Sequence, residues 1–264
     1  MQTFTYYPGC TLRTKAKDLD AYARASAEAL GIALIEPENW QCCGGAYSTA
    51  TNEAGSKLSA VRTLMAAKDS EGLVTVCSAC HNVIKQTNYD ISRNEAMANK
   101  VRQYLGLEEA YRGETKVLHY LELLRDVVGF DNLAAKVTNP FKGKKIAAYY
   151  GCLLLRPSKA LAMDDPENPR IMEDFIRAIG GTPVIYAQRN ECCGGYIAME
   201  DKAQAAKRSG AVMSSAKDMG ADMIITACPL CLYNLRKNSG SDMPVYYFTE
   251  LLAEALGLKE ESNE

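Results

Sequence analysis

The stretch Cys-Cys-Gly-Gly occurs at residues 42–45 and again at residues 192–195, and it decides the fold of this 264-residue chain. One lone cysteine precedes each copy, and one Cys-x-x-Cys pair follows it. The two halves read C-x31-CC-x33-C-x-x-C and C-x39-CC-x34-C-x-x-C, and together they use all ten cysteines of the chain. A five-thiol set that recurs at nearly the same spacing indicates that one metal-binding unit was duplicated.

The bulk composition is that of a folded protein without a strong charge excess. Hydrophobic residues make up 47% of the chain, and 30 basic and 32 acidic side chains leave a net charge of −2. This balance disfavours nucleic acid or an anionic membrane as a partner. We find no signal peptide and no apolar run approaching about 18 residues, so we predict a cytoplasmic protein without a membrane span. In a reducing compartment, cysteine clusters bind metal or carry out redox chemistry more often than they form structural disulfides.

Short apolar strands alternate with amphipathic helices along both halves. This alternation predicts an α/β fold with parallel sheets. Predicted strands lead directly into four of the cysteines, which are Cys10, Cys77, Cys152 and Cys228. Open parallel sheets place ligands beyond the carboxyl ends of their strands, so each half should gather its thiols at that edge.

The pattern restarts after a linker rich in Pro, Gly and charge at residues 139–145. We therefore expect two related Rossmann-like α/β domains, residues 1–139 and residues 140–264, with a polar tail from about residue 259. Asn52 is predicted to cap the helix that follows the first Cys-Cys-Gly-Gly stretch. The chain contains no GxGxxG or Walker motif, so we predict no nucleotide or flavin site.

Disulfides, zinc and haem are alternative uses of these cysteines. Adjacent cysteines do not readily bridge each other, and the expected compartment disfavours disulfides. Structural zinc takes four ligands, whereas each half offers five thiols, and the gaps exceed the usual zinc-ribbon spacing of about 15–20 residues. The segment from Cys77 to His81 matches the haem-attachment pattern C-x-x-C-H, but its counterpart in the second half ends in Leu232. Iron–sulfur clusters remain the favoured interpretation, because thiolates are their normal ligands.

The pattern resembles the CCG-domain family, and residues 1–258 are similar to the heterodisulfide reductase B-type proteins within it. The resemblance implies two noncubane 4Fe-4S clusters, each bound by one five-cysteine motif. It assigns as ligands Cys10, Cys42, Cys43, Cys77 and Cys80 in the first motif, and Cys152, Cys192, Cys193, Cys228 and Cys231 in the second. The glycines that would let backbone N–H groups approach the cluster sulfurs are Gly44, Gly45, Gly194 and Gly195. Leu153 departs from the family pattern, in which histidine is frequent at this position.

The resemblance also implies an activity and partners. The two clusters would face a pocket in which a disulfide is reduced, or formed in the reverse direction. Electrons would be exchanged with a small C-type iron–sulfur protein and with an A-type flavoprotein of the same complex. The alternative is an electron-transfer role, in which the chain relays electrons to a quinone or to another catalytic protein of its complex. Association with a membrane would then occur through a partner.

Two arginines are candidate substrate-binding residues. Arg13 and Arg156 follow the lone cysteines of the two halves at similar offsets. A guanidinium offers a planar fork of donors to carboxylate, sulfonate or phosphate. Basic side chains at such positions are more often solvated residues at the start of a helix. His119 lies in an apolar strand pattern, and we expect it in the core.

Overall fold

The computed structural model describes residues 1–45 and 53–258 of the chain. Asn52, the predicted helix cap, and the polar tail from residue 259 lie outside these residues. Within them, the chain forms two four-stranded parallel sheets, each surrounded by helices.

The first half of the chain builds the first sheet. Its strands are β1 (Gln2–Tyr7), β2 (Ile32–Ile35), β3 (Leu73–Thr75) and β4 (Val117–His119). Its helices are α1 (Cys10–Thr14), α2 (Lys17–Ala29), α3 (Glu53–Ala66), α4 (Ser78–Ile91), α5 (Glu95–Leu105), α6 (Tyr120–Leu123) and α7 (Phe130–Lys136), with a π-helical segment (Leu124–Val128) between the last two. The strand order is β2-β1-β3-β4, and all pairs are parallel.

The second half repeats this arrangement. Its strands are β5 (Lys145–Tyr149), β6 (Thr182–Val184), β7 (Met223–Thr226) and β8 (Val245–Tyr247). Its helices are α8 (Ser158–Leu161), α9 (Ile171–Ala178), α10 (Lys202–Asp218), α11 (Pro229–Asn238) and α12 (Phe248–Ala255). The order β6-β5-β7-β8 is that of the first sheet, again with parallel pairs only. The predicted α/β fold with an internal duplication is confirmed.

Several local features differ from the prediction. One helix was expected over residues 15–30, but α1 begins at Cys10 itself and α2 follows it. The helix expected over residues 121–128 is π-helical in its second part. The short helices α7 and α8 were not predicted, because seven and four residues are too few to show a helical period.

The two halves pack against each other along helices. Helix α12 of the second half packs on α2 of the first, and α4 and α7 of the first half pack on α8 and α9 of the second. The Thr249 hydroxyl donates to the Leu19 carbonyl across this boundary, at 3.2 Å. The buried apolar residues of both halves form one continuous cluster. Burial between the halves therefore holds the two sheet edges in a fixed relation.

Candidate metal centres

All ten cysteines lie at or near the carboxyl edges of the two sheets, as predicted. Cys10 is the first residue of α1, directly after β1 and a Pro-Gly turn. Cys77 and Cys228 are the N-cap residues of α4 and α11, just after β3 and β7. Cys10 and Cys42 are exposed, and Cys152 and Cys192 are half-buried. The other six thiols are buried, namely Cys43, Cys77, Cys80, Cys193, Cys228 and Cys231.

The thiols of the first set approach one another in pairs. The sulfur atoms of Cys10 and Cys42 are 3.6 Å apart, and those of Cys43 and Cys80 are 3.5 Å apart. Cys77 hydrogen-bonds with Cys80. The fold therefore brings together cysteines that are up to 37 positions apart in sequence, Cys43 and Cys80.

The second set lines a small cavity. All five of its thiols face this space, and the remaining lining is largely apolar. The sulfur atoms of Cys193 and Cys231 are 3.6 Å apart, and Cys152 hydrogen-bonds with Cys192. Ser78, from the first half, also lines this cavity. The second candidate centre therefore abuts the first.

The two sets meet at one pair of thiols. Cys77 of the first half and Cys228 of the second half hydrogen-bond with each other. Cys77 also contacts Cys80, and Cys228 also contacts Cys231. The buried thiols of both halves thus form one continuous series, which passes from one half to the other at Cys77 and Cys228.

Hydrogen bonds between the thiols shift the pKa values of the two partners in opposite directions. The hydrogen bond with Cys80 lowers the pKa of Cys43 to about 6, and the hydrogen bond with Cys152 lowers the pKa of Cys192 to about 6. The pKa values of Cys80 and Cys152 are raised, with these same bonds as the largest cause. Each set therefore contains a thiol whose pKa is lowered, and the thiolate is the form that binds metal.

The pKa values of two further thiols of the second set are also lowered. The hydrogen bond with Cys231 is the largest cause that lowers the pKa of Cys193. The pKa of Cys228 lies well below its usual value, first because of Cys231 and then because of Cys77. Backbone N–H groups of Leu230 and Cys231 also stabilise the Cys228 thiolate. The start of α11 therefore favours negative charge on sulfur, as helix N-termini generally do.

Glycines and tyrosines hold the thiol loops in equivalent ways in both halves. A Cβ on Gly9 would lie 2.8 Å from the Cys80 sulfur, and one on Gly151 would lie 3.3 Å from the Cys231 sulfur. Only glycine fits such an approach without displacing the thiol. The Tyr7 hydroxyl donates to the Gln41 carbonyl and the Tyr149 hydroxyl to the Glu191 carbonyl, one residue before each Cys-Cys pair.

The four glycines that follow the Cys-Cys pairs bring backbone N–H groups to the sulfur atoms. The N–H groups of Gly44 and Gly45 hydrogen-bond with Cys42 and Cys43, and those of Gly194 and Gly195 with Cys192 and Cys193. Gly44, Gly45 and Gly194 have positive φ angles, which glycine adopts freely. Gly195 has an ordinary φ, but a Cβ there would lie 2.9 Å from Leu230.

The donor set fits an iron–sulfur cluster in each half. Five thiols and largely apolar surroundings suit a thiolate-bound group with several metal ions. Among residues 1–45 and 53–258, no three His, Cys, Asp or Glu side chains converge as they would around a single ion. The thiols are instead spread in pairs around each site.

The candidate arginines lie near the thiol loops and carry ion pairs. Arg13 is 60% exposed and faces Glu36 at 3.5 Å. Arg156 donates to the carbonyls of Pro166 and Asn190 and to the carboxylate of Glu167, at 3.0, 3.3 and 2.9 Å. It thereby ties residues 166 and 167 to the segment that leads to Cys192.

Two fully buried histidines lie behind the first thiol set, and their rings meet edge to face at 5.4 Å. The His119 Nδ1 accepts from the Leu121 N–H at the start of α6, so its core placement is confirmed. His81 Nδ1 lies 3.0 Å from the Thr75 hydroxyl. Burial lowers the pKa of His119 to about 3 and holds that of His81 well below its usual value. Both rings are therefore neutral at pH 7.

Three residues of the site were missed by sequence reasoning. The Asn82 side chain donates across the halves to the carbonyls of Leu153 and Arg156, at 2.7 and 2.8 Å. The Asn234 side chain donates to the Cys193 carbonyl at 2.6 Å. The Tyr196 hydroxyl donates to the Gly45 carbonyl. Their one sequence signal is position, since each lies within three residues of a cysteine.

A family profile described as the CCG cysteine-rich domain matches the chain twice, at residues 4–85 and 146–236. The two matches cover more than half of the chain and contain all ten cysteines. The chain therefore belongs to the CCG cysteine-rich domain family.

Curated relatives match nearly the whole chain. The 8-methylmenaquinol:fumarate reductase membrane anchor subunit of Wolinella succinogenes is 28% identical, over 97% of this chain and 92% of its own length. The B subunit of the ferredoxin/F(420)H(2)-dependent CoB-CoM heterodisulfide reductase of Methanosarcina acetivorans is 23% identical, over 97% and 90%. A protein of Archaeoglobus profundus that resembles the heterodisulfide reductase B subunit is 24% identical, over 99% and 93%. The resemblance to the B-type proteins is thus confirmed.

A solved structure shares the fold. A hypothetical protein from Helicobacter pylori superposes with a TM-score of 0.75 at 15% identity, over 98% of this chain. This chain spans half the length of that protein. Among the residues described here, no helix combines the length and apolar character that crossing a membrane requires.

Proposed function

We propose that the chain is the catalytic iron–sulfur subunit of a heterodisulfide reductase-like complex. Its two halves, divided at residues 139 and 140, would each bind one noncubane 4Fe-4S cluster through five cysteines. When bound, the clusters supply the electrons that reduce a disulfide. The observation that carries the proposal is the contact between Cys77 and Cys228, because it brings the two thiol sets together at one place.

The chain's own residues prepare this place. The lowered pKa values of Cys43 and Cys192 make thiolates available for metal binding. Asn82 holds residues 153–156 by two hydrogen bonds, and Ser78, next to Cys77, lines the cavity of the second set. Arg13 and Arg156 would bind anionic ends of the substrate. At Arg156, the substrate would replace exposed Glu167 as the partner of the guanidinium.

A disulfide RSSR′ that takes up two electrons and two protons gives RSH and R′SH. These electrons would come from a small C-type iron–sulfur protein, and ultimately from an A-type flavoprotein. The names of the relatives support membership of such a complex, since each describes one component of a larger reductase.

A second candidate function is electron transfer to or from a quinone. The observation that favours it is the 28% identity to the 8-methylmenaquinol:fumarate reductase membrane anchor. In this case the clusters would relay electrons, and the arginines would have no substrate role.

One assay separates the two functions. The iron-loaded chain would be supplied anaerobically with reduced methyl viologen and offered either a mixed disulfide of two carboxylate-bearing thiols or the quinone menadione. Disulfide reduction should give two thiols per two viologen radicals oxidised, at a rate that depends on the loaded chain. Reduction of menadione without reduction of the disulfide would favour the relay and contradict the catalytic proposal.

A further inference from the structure

Tyr196 connects the two Cys-Cys-Gly-Gly stretches. It directly follows the second stretch, and its hydroxyl donates to the Gly45 carbonyl at the end of the first. The first half has Ala46 at the corresponding sequence position, so the duplication does not reproduce this side chain. A single tyrosine therefore bridges the loops that carry Cys42, Cys43, Cys192 and Cys193.

Tyr196 lies close to thiols of both sets and is partly exposed to solvent. The side chain lines the cavity of the second set, yet the residue remains 49% exposed. Its hydroxyl is acted on electrostatically by Cys228, Cys77, Cys43 and Cys152, which belong to both sets. A tyrosine hydroxyl is a hydrogen-bond donor as well as an acceptor, so the Tyr196 hydroxyl offers a donor at this place.

The exposure of Tyr196 separates it from the structural tyrosines of the site. Tyr7, Tyr149 and Tyr247 also donate to backbone carbonyls near the thiols, but they are at most 1% exposed. A donor that only fixes a loop gains from complete burial, because water then does not compete for its acceptor. Tyr196 instead holds one carbonyl acceptor at a place that solvent, and hence a substrate, can reach.

We propose that Tyr196 forms one wall of the substrate site at the cavity of the second thiol set and donates a hydrogen bond to a substrate thiolate there. The Gly45 carbonyl is its acceptor when the site is empty, and the thiolate replaces that carbonyl when the site is filled. A thiolate is the better acceptor, since hydrogen bonds to charged groups are stronger than neutral ones. This role rests on the proposed disulfide function, and it makes Tyr196 a selector for substrates whose sulfur reaches this cavity.

The first test is thiol binding to the iron-loaded chain. Wild type, Tyr196→Phe and Tyr104→Phe would be titrated anaerobically with 2-mercaptoethanol, with cluster electron paramagnetic resonance as the readout. Tyr104 on α5 is a matched control because it is 59% exposed and on a helix that packs against α3 and α4. We expect Tyr196→Phe to raise the apparent Kd about five- to tenfold, the loss of one hydrogen bond, at unchanged iron content. Tyr104→Phe should match wild type.

A second test measures access to the clusters without any substrate. Iron removal by the chelator bathophenanthroline disulfonate should be about tenfold faster in Tyr196→Ala, since the wall is gone, but unchanged in Tyr104→Ala. Equal rates in wild type and Tyr196→Ala would overturn the role as a wall.

The outcomes separate this inference from the function on which it rests. If the wild-type clusters respond to the thiol and Tyr196→Phe responds with the same Kd, the donor role is wrong and the proposed function stands. If the wild-type clusters do not respond to the thiol, the proposed disulfide function fails and the donor role fails with it. If Tyr196→Phe loses iron, the tyrosine maintains the loops and the substrate role is wrong.

Discussion

The hydroxyl of Ser78 in the first half donates a 2.8 Å hydrogen bond to the carbonyl oxygen of Ala227 in the second half. The Ser78 N–H donates to the same oxygen at 3.0 Å. These two residues directly follow Cys77 and precede Cys228, the thiols at which the two sets meet. The relation between the two candidate centres is therefore fixed by backbone groups next to the thiols, with no flexible linker between them.

Tyr247 on β8 adds a hydrogen bond beside the place where Cys77 meets Cys228, and removing its hydroxyl should destabilise the folded protein. The Tyr247 hydroxyl donates to the Val76 carbonyl at 2.6 Å and lies 3.0 Å from the Ala227 carbonyl. Tyr247→Phe leaves the buried Val76 carbonyl without this donor, so we expect the free energy of unfolding to fall by about 1–3 kcal/mol. Denaturant unfolding under anaerobic conditions measures this. The matched control is Tyr246→Phe, on the same strand but half-buried, for which no comparable loss is expected. An equal fall in the free energy of unfolding of the two variants would contradict a stabilising role for the Tyr247 hydroxyl.

Removal of one thiol should remove the iron of one half only. Cys193→Ala should lower the iron content by about half, because the second centre loses a buried ligand while the first keeps all five. Cys43→Ala should have the mirrored effect. Leu230→Ala, which alters the same cavity without removing a thiol, is the control and should keep its iron. A Cys193→Ala protein with full iron content and an unchanged spectrum would refute ligation by five thiols.

The sequence predicted the parallel sheets and the place of the thiols, because strands that end at cysteines must deliver them to one edge. It did not predict the meeting of Cys77 with Cys228, since the packing of α12 on α2 and of α4 on α8 depends on surfaces that no motif marks. The roles of Asn82 and Tyr196 were missed for the same reason, because both act across the boundary between the halves.

The tyrosines and glycines near the thiols have structural roles that their local sequence does not show. Strand propensity accounts for Tyr7 and Tyr149, but each also fixes the residue before a Cys-Cys pair. Gly9 and Gly151 are typical turn residues in the sequence, whereas the close sulfur atoms of Cys80 and Cys231 are the physical reason for them. A sulfur atom delivered by a helix about 70 or 80 residues downstream is not visible in local sequence.

Acid should destabilise the protein through His119. Its pKa in the folded chain is about 3, whereas an unfolded histidine titrates near about 6.5. Between these values the unfolded state binds a proton that the native state does not, so the free energy of unfolding falls as the pH falls. From pH 7 to pH 5.5 this term should cost about 1 kcal/mol. His119→Gln should lose less stability over the same range, because the glutamine does not titrate. Equal pH dependence in wild type and variant would contradict the prediction.

Arg156 should affect the binding of an anionic disulfide more than the reduction potential of the clusters. Arg156→Met should raise the KM for a disulfide with carboxylate ends about tenfold, since a charge-assisted bond is lost, and leave the KM for a neutral disulfide unchanged. Lys159→Met is the control, because Lys159 is an exposed cation on the neighbouring α8. A shifted potential with an unchanged KM would assign Arg156 to cluster tuning, and no change in either would leave it as the residue that ties Glu167 to Asn190.

The central claim is that each of the two thiol sets binds one iron–sulfur cluster. Iron and acid-labile sulfide, measured on the anaerobically purified chain together with zinc, test it in one determination. Two four-iron clusters predict about eight iron and about eight sulfide per chain. Stoichiometric zinc without labile sulfide would contradict the account.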